Sequence, residues 1–231
     1  MLEDARVAGA FQAKDHLISL LQSRYTTIAA LNTAWGTSFT GWTDPVLLNA
    51  YTLPSGYLSL NASQVADFDA YMSAFAGQYY SVVRTALKAS DPNHLYLGSR
   101  LASWTPPVYS AAALYCDVVS FNIYKLTLDS SWNFLDTLGK PAFVGEFNFA
   151  ATDRGGFNTS LVAASSQADR AAKFQAYIAS AMGHSGVVGC NWFQYVDEPI
   201  SGRYFDGENS PMGSSPSRII PIPRWWLRRG R

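Results

Sequence analysis

The chain has 231 residues, 48% of them hydrophobic and 14% aromatic, a composition that can bury a core and is unlike that of a disordered segment. Seventeen acidic and seventeen basic residues cancel, so no excess charge points to nucleic acid or to an acidic membrane surface. No apolar stretch approaches the roughly 20 residues of a membrane span. The acidic opening Met1-Leu2-Glu3-Asp4 lacks the apolar core of a signal peptide.

The first ninety residues have helical period. Phe11, Lys14, Ile18, Leu21, Tyr25 and Ile28 recur at three-to-four spacing, with only Lys14 polar. This predicts a helix, or a pair of helices, ending at a Gly36 C-cap in "LNTAWGTSF". Residues 37–62, with Pro45 and Pro54, read as an irregular connection. A longer helix follows, with Ser63 as the expected N-cap and Val65, Phe68, Met72, Phe75, Tyr79, Val82 and Ala86 as its apolar stripe; "SDPNH" stops it.

After residue 90 the pattern changes. "HLYLGSR" (94–100), "VVSFNIY" (118–124), "AFVGEFNF" (142–149) and "VVGCNWFQY" (187–195) are compact apolar runs, separated by intervals long enough for helical crossovers. The last interval contains an amphipathic helix from Ser166 to Met182 that uses Ala171, Phe174, Ile178 and Ala181. Near-continuous apolar strands alternating with helices predict an α/β fold: four parallel strands in a sheet covered on both faces. Cys116 and Cys190 lie in or beside strand-like runs and are expected to be buried free thiols. The C-terminal stretch, residues 210–231, combines prolines, Trp225-Trp226 and a run of arginines without a clear period. It reads either as a basic tail or as a frameshifted or vector-derived end, and is set apart from the single domain expected over residues 1–209, helical over 1–90 and βα over 91–209.

The polar residues of interest sit at the C-terminal ends of the four runs: Arg100 on the first, Asn122 and Tyr124 on the second, Glu146 and Asn148 on the third, and Trp192, Gln194 and Asp197 on the fourth. In parallel α/β barrels ligands bind at that rim. The plainer account is that such groups only satisfy backbone at the rim. It explains Glu146 poorly, because an ionised carboxylate in an apolar strand is costly unless paired. The rich aromatic supply, thirteen Tyr, thirteen Phe and seven Trp, serves either a large core or sugar-stacking platforms.

"VGEF" at a strand end, preceded by "NIY" and followed by "WFQYVDEP", resembles the retaining glycoside hydrolases built on (β/α)8 barrels, closest to the β-galactosidase and β-agarase-like members; "YTTIAALNTAWGTSFTGW" is also similar to a stretch of those β-galactosidases. The likeness covers residues 10–209. It implies Glu146 as nucleophile, Tyr124 as the hydrogen-bond donor that orients it, and Trp192 as sugar platform, with a carbohydrate substrate and no cofactor. Family members are often secreted. The physical requirement is one ionised carboxylate and a second, protonated one about 5–5.5 Å away; Tyr and Arg donors near Glu146 would keep it ionised.

In the family the acid/base glutamate follows an asparagine at the end of strand four, upstream of "LNTAWGT". Before Phe11 there is only "MLEDARVAGA", with no Asn-Glu pair. Four strands are likewise half of what a closed barrel needs. The expectation is therefore a half-barrel with exposed sheet edges, completed by a two-fold dimer. The second carboxylate would come from Asp197, Glu198, Glu208 or a partner's Glu146. The competing reading is a sugar-binding protein without turnover. His16, His94 and His184 are scattered and offer no metal-ligand spacing, and no Gly-x-Ser-x-Gly elbow is present.

Overall fold

A computed structural model describes residues 12–48 and 60–213. Phe11, the opening decapeptide, Pro54 and most of the 210–231 tail lie outside these residues. The element order is α1 (Gln12–Tyr25), α2 (Ile28–Trp35), α3 (Pro45–Leu48), α4 (Ala62–Ser90), β1 (Arg100–Leu101), α5 (Pro106–Tyr115), β2 (Val119–Asn122), a 3-10 helix (Ser130–Thr137), β3 (Ala142–Phe147), α6 (Gln167–Met182) and β4 (Val187–Trp192). The chain divides into two compact units: the described residues up to Pro92 with Thr105–Tyr115, and Asn93–Trp104 with the described residues from Cys116 onward.

In the helical unit the first period resolves into a pair of helices. Thr26 adopts φ 59° and breaks the run, and the Thr27 hydroxyl caps α2 by accepting from Ala30 N–H at 3.2 Å. Gly36 closes α2 in the left-handed conformation, φ 67°, as its position predicts. The N-cap of α4 is Asn61 rather than Ser63. Asn61 and Gln64 exchange side-chain-to-backbone hydrogen bonds at 2.9 Å, a reciprocal capping box that Ser63 cannot make.

The buried face of α4 also departs from the apolar stripe: Asp67, Phe68, Tyr71, Ala76 and Tyr80 are buried, while Tyr79 and Val82 are exposed. Asp67 causes the shift. Its carboxylate is fully buried and accepts from Tyr25 OH at 2.6 Å and Trp35 Nε1 at 2.7 Å, and pairs with Arg24 Nε at 2.8 Å. Three donors on one anion make burial of the charge tolerable and draw this face of α4 onto α1 and α2, where Leu17, Leu21, Leu31, Trp35 and Phe68 form the core. In the same unit α5 lies on α4: Arg84 Nη1 donates to Tyr115 O at 2.7 Å.

The second unit contains a four-stranded sheet of order β1-β2-β3-β4, parallel throughout. Strand β1 is far shorter than the 94–100 run predicts, because Gly98 at φ 66° interrupts the extended backbone. The crossover from β2 to β3 is a 3-10 helix rather than an α-helix. One face of the sheet packs against it and α6. Phe147 stacks on Tyr177 with centroids 4.1 Å apart and planes 4° apart, and Trp132 and Phe134 close over Phe121 together with Trp104. Burying a ring the size of Phe147 is worth about 2–3 kcal/mol. Both cysteines are free, Cys116 buried and Cys190 half-buried; burial pushes the Cys190 thiol up to about 11. Among the described residues no helix is long and apolar enough to cross a membrane.

Candidate active site

Strand β3 determines where Glu146 points. Ala142 and Val144 are buried, and strict alternation would send Glu146 to their side of the sheet. The pairing slips by one residue instead: Val144 faces Phe121, but Asn122 faces Glu146. Gly145 is the extra residue of a β-bulge, the device that re-aims a side chain at a strand end. The bulge turns Glu146 to the face that carries Ser120 and Arg100, while Phe147 returns to the α6 face.

On that face the carboxylate is clasped. Tyr124 OH donates to Oε2 at 2.8 Å, and Arg100 Nη1 pairs with Oε1 at 2.8 Å. The Glu146 side chain keeps 14% of its exposure, and Arg100 keeps 54%. Ile123 N–H, donating to Glu146 O at 2.9 Å, ties the strand ends together. Burial, followed by the bond to Glu146, raises the Tyr124 phenol well above its usual range, so it remains a donor. Gly145 makes the clasp possible: a Cβ there would lie 2.6 Å from Arg100 Cδ and 2.9 Å from Ser120 Oγ. The linear pattern does not mark this glycine, although it stands beside Glu146 in "VGEF".

Of the residues singled out in the sequence, the structure brings Arg100, Asn122, Tyr124 and Glu146 together. Asn122 Oδ1 is buried and has no protein partner among the described residues. Trp192 is elsewhere. It pairs with Phe147 and packs on the same face, against Phe149 and Phe174, with the Arg170 guanidinium 5.2 Å from its ring centroid and its Nε1 donating to Met212 O at 2.7 Å. Its ring is therefore engaged on the α6 side, away from the face that Glu146 occupies. Gln194 follows a cis peptide bond after Phe193. Asp197 accepts from Gly213 N–H at 2.7 Å. Asn148 is buried, accepting from Ser160 Oγ at 2.9 Å and donating to Met212 Sδ at 2.8 Å.

Residues 8–202 match the glycoside hydrolase family described as beta-galactosidase. The chain belongs to this family. Within that glycoside hydrolase setting it is 43% identical over 220 residues to beta-agarase A of Vibrio sp. (strain JT0107), covering 91% of this chain and 21% of that protein. It is 38% identical over 206 residues to beta-agarase B of the same organism, covering 87% and 21%. Two solved structures are similar in fold: an exo-beta-agarase, TM-score 0.81 at 38% identity over 92% of this chain and 28% of that one, and the agarase AgWH50C, TM-score 0.79 at 41% identity over 92% and 30%. The chain therefore spans only about a fifth of the length of these two Vibrio relatives.

Proposed function

We propose that this chain is a glycosidase acting on β-linked galactans of the agarose class, by a retaining mechanism in which Glu146 is the nucleophile. One observation carries the proposal. Glu146 is a mostly buried carboxylate at a strand end, turned by a bulge onto the face of Arg100 and Ser120 and held by Tyr124 and Arg100 at 2.8 Å each. Two donors fix the carboxylate in place and keep the attacking oxygen oriented, as attack at an anomeric carbon requires. In this role Tyr124 and Arg100 are positioning groups. Asn122 Oδ1, buried without a protein partner, suits a sugar hydroxyl, and Gln194 and Asp197 would contact the substrate from the segment after β4.

The acid/base partner and the rest of the barrel are proposed to come from a second copy. The sheet has four strands, with β1 and β4 at its edges, and Leu95, Leu97 and Val188 are exposed beside or on those edges. A closed parallel barrel needs eight strands, and open edges invite pairing. A two-fold dimer of half-barrels would cover both edges and bring a second carboxylate toward the cleft. Sedimentation that finds a stable monomer would remove this part of the proposal.

A second reading is saccharide binding without turnover, in which the clasp of Tyr124 and Arg100 holds Glu146 as a sugar-hydroxyl acceptor. A panel of chromogenic β-glycosides and polysaccharides, assayed with the unsubstituted chain and with Glu146→Gln, separates the two. Reducing-end release lost in Glu146→Gln supports the glycosidase. Release that persists undiminished in that variant overturns the role of Glu146, and binding without release supports the second reading.

A further inference from the structure

Beyond β4 the chain makes a tight excursion whose ends are tied to each other. Glu198 N–H donates to Ser210 O at 3.2 Å, and Ser210 N–H donates to Glu198 Oε2 at 2.8 Å. Inside it, Arg203 is a hub: Nε pairs with Glu198 Oε1 at 3.2 Å, and Nη2 pairs with Asp206 Oδ2 at 2.6 Å and Glu208 Oε2 at 2.7 Å. Arg203 N–H donates to Glu208 O, and Gly207 N–H to Arg203 O, both at 2.8 Å. Gly202 takes φ 87°, and a Cβ there would lie 2.7 Å from Gly207 O, so the crossing of the two arms requires a glycine.

A loop braced in this way fixes the backbone that carries its cargo. The cargo is Tyr204, 104% exposed, and Phe205, 77% exposed. Leaving such rings in water forgoes the burial that large aromatic side chains usually find, and adjacent exposed rings on a braced loop mark a binding surface. The Arg203 guanidinium stands 5.0 Å from the Phe205 ring centroid, steadying the ring. The carboxylates of Asp206 and Glu208, 34% and 46% exposed, stand beside it as acceptors. Because the one cation of the cluster is already paired with acids, the surface suits a neutral ligand with many hydroxyls better than an anion. Aromatic faces take the C–H side of a pyranose, and carboxylates take its hydroxyls. The loop belongs to the Glu146 rim: it leaves the end of β4, Arg203 lies 5.8 Å from the Phe193 ring, and the charge of Glu208 acts on the Tyr124 hydroxyl.

We propose that Tyr204 and Phe205, bordered by Asp206 and Glu208, form an accessory saccharide subsite beside Glu146, which stacks a further sugar of the chain and directs the protein to polymers over single glycosides. Only the identity of the sugar rests on the function proposed above. A loop backbone braced in advance loses little freedom on binding, so more of the stacking energy is expressed as affinity.

The test is calorimetric titration of the full chain and of Tyr204→Ala, Phe205→Ala and Tyr204→Phe with agarose-derived disaccharide and longer oligosaccharides, each variant checked for folding by circular dichroism. The expected result is binding that tightens with oligosaccharide length and weakens about three- to tenfold in each alanine variant for the longer ligands only. Tyr204→Phe keeps the ring and should keep the affinity. Length dependence that survives both alanine changes overturns the proposal. So does altered sedimentation of the alanine variants with unchanged saccharide affinity, which would make the patch a chain-to-chain contact. Turnover of a chromogenic β-galactoside with no gain from longer ligands overturns the subsite and leaves the glycosidase intact. Length-dependent binding weakened by Tyr204→Ala, with no turnover of any substrate, sustains the subsite and overturns the glycosidase.

Discussion

Glu146 stands opposite Asn122 in the sheet, one residue out of step with the pairing of Val144 and Phe121 just before it. That slip separates a buried, unpaired carboxylate from one presented to the face of Arg100 and Ser120. A residue with any side chain in the slipped position would strike Arg100, so the bulge, the glycine and the ion pair form one device.

Gly145→Ala tests that device. The added methyl meets Arg100 Cδ at 2.6 Å, so the guanidinium must move off Glu146. Hydrogen bonds to charged groups are worth about 1.5–3 kcal/mol, and Arg100 is half exposed and partly screened. The expected result is hydrolysis reduced about tenfold, with the melting temperature little changed. Steady-state kinetics beside a thermal melt checks it; a variant with full turnover would mean that Arg100 has no part in positioning Glu146.

Tyr124→Phe removes one oxygen and little volume. It deletes the 2.8 Å bond to Glu146 Oε2 from a half-buried position. A charge-assisted bond of this kind makes kcat the sensitive parameter, with a fall of about 10- to 100-fold and a smaller change in KM. A change confined to KM would assign Tyr124 to substrate binding instead.

Asp67→Ala is predicted to destabilise the helical unit by about 3 kcal/mol. It leaves the donors of Trp35 and Tyr25 without their acceptor at 2.7 and 2.6 Å and opens a hole beside Phe68. Denaturant titration followed by tryptophan fluorescence measures the loss. An unchanged midpoint would show that the buried anion is dispensable.

Acid should weaken the fold through its held carboxylates. The Gly186 N–H, then His184, hold the Asp136 carboxyl below the usual range; Lys173 does the same for Asp169, and Arg203 for Asp206. A folded pKa below the unfolded value adds stability above that unfolded value, about 4, and the addition is lost as pH falls through the folded pKa. Melting temperature is therefore expected to hold down to about pH 5 and to fall below about pH 4. Asp136→Asn, which can still accept from Gly186 but carries no charge, should flatten that fall. Glu198 has the opposite sign: burial raises its pKa, so its share is present at low pH and lost as pH rises through the folded value.

Much of the architecture was legible in the linear pattern because burial periodicity is a local property. The four apolar runs became four parallel strands, Gly36 became a left-handed cap, and Ser166 began α6 by accepting from Asp169 N–H. The structure departs from the pattern where one local feature overrode it. Asp67 rotated the buried face of α4, the Asn61–Gln64 pair moved its start, and Gly98 shortened β1.

The amino-acid sequence by itself determined that an acidic residue sits at the end of a buried parallel strand, with Asn122 and Tyr124 at the end of a second apolar run and Arg100 at the end of a third, because hydrophobic runs and spacing specify strands and their rims. Only the tertiary structure decided which way those side chains face. A β-bulge is a property of the pairing between two strands and leaves no periodic trace in either one, and it turns Glu146 to the face of Arg100 and Ser120. The separate pairing of β3 with β4 places Trp192 beside Phe147, so the aromatic residue best placed by motif is packed against α6, while Tyr204 and Phe205, unremarkable in the sequence, stand exposed on a loop held by one arginine.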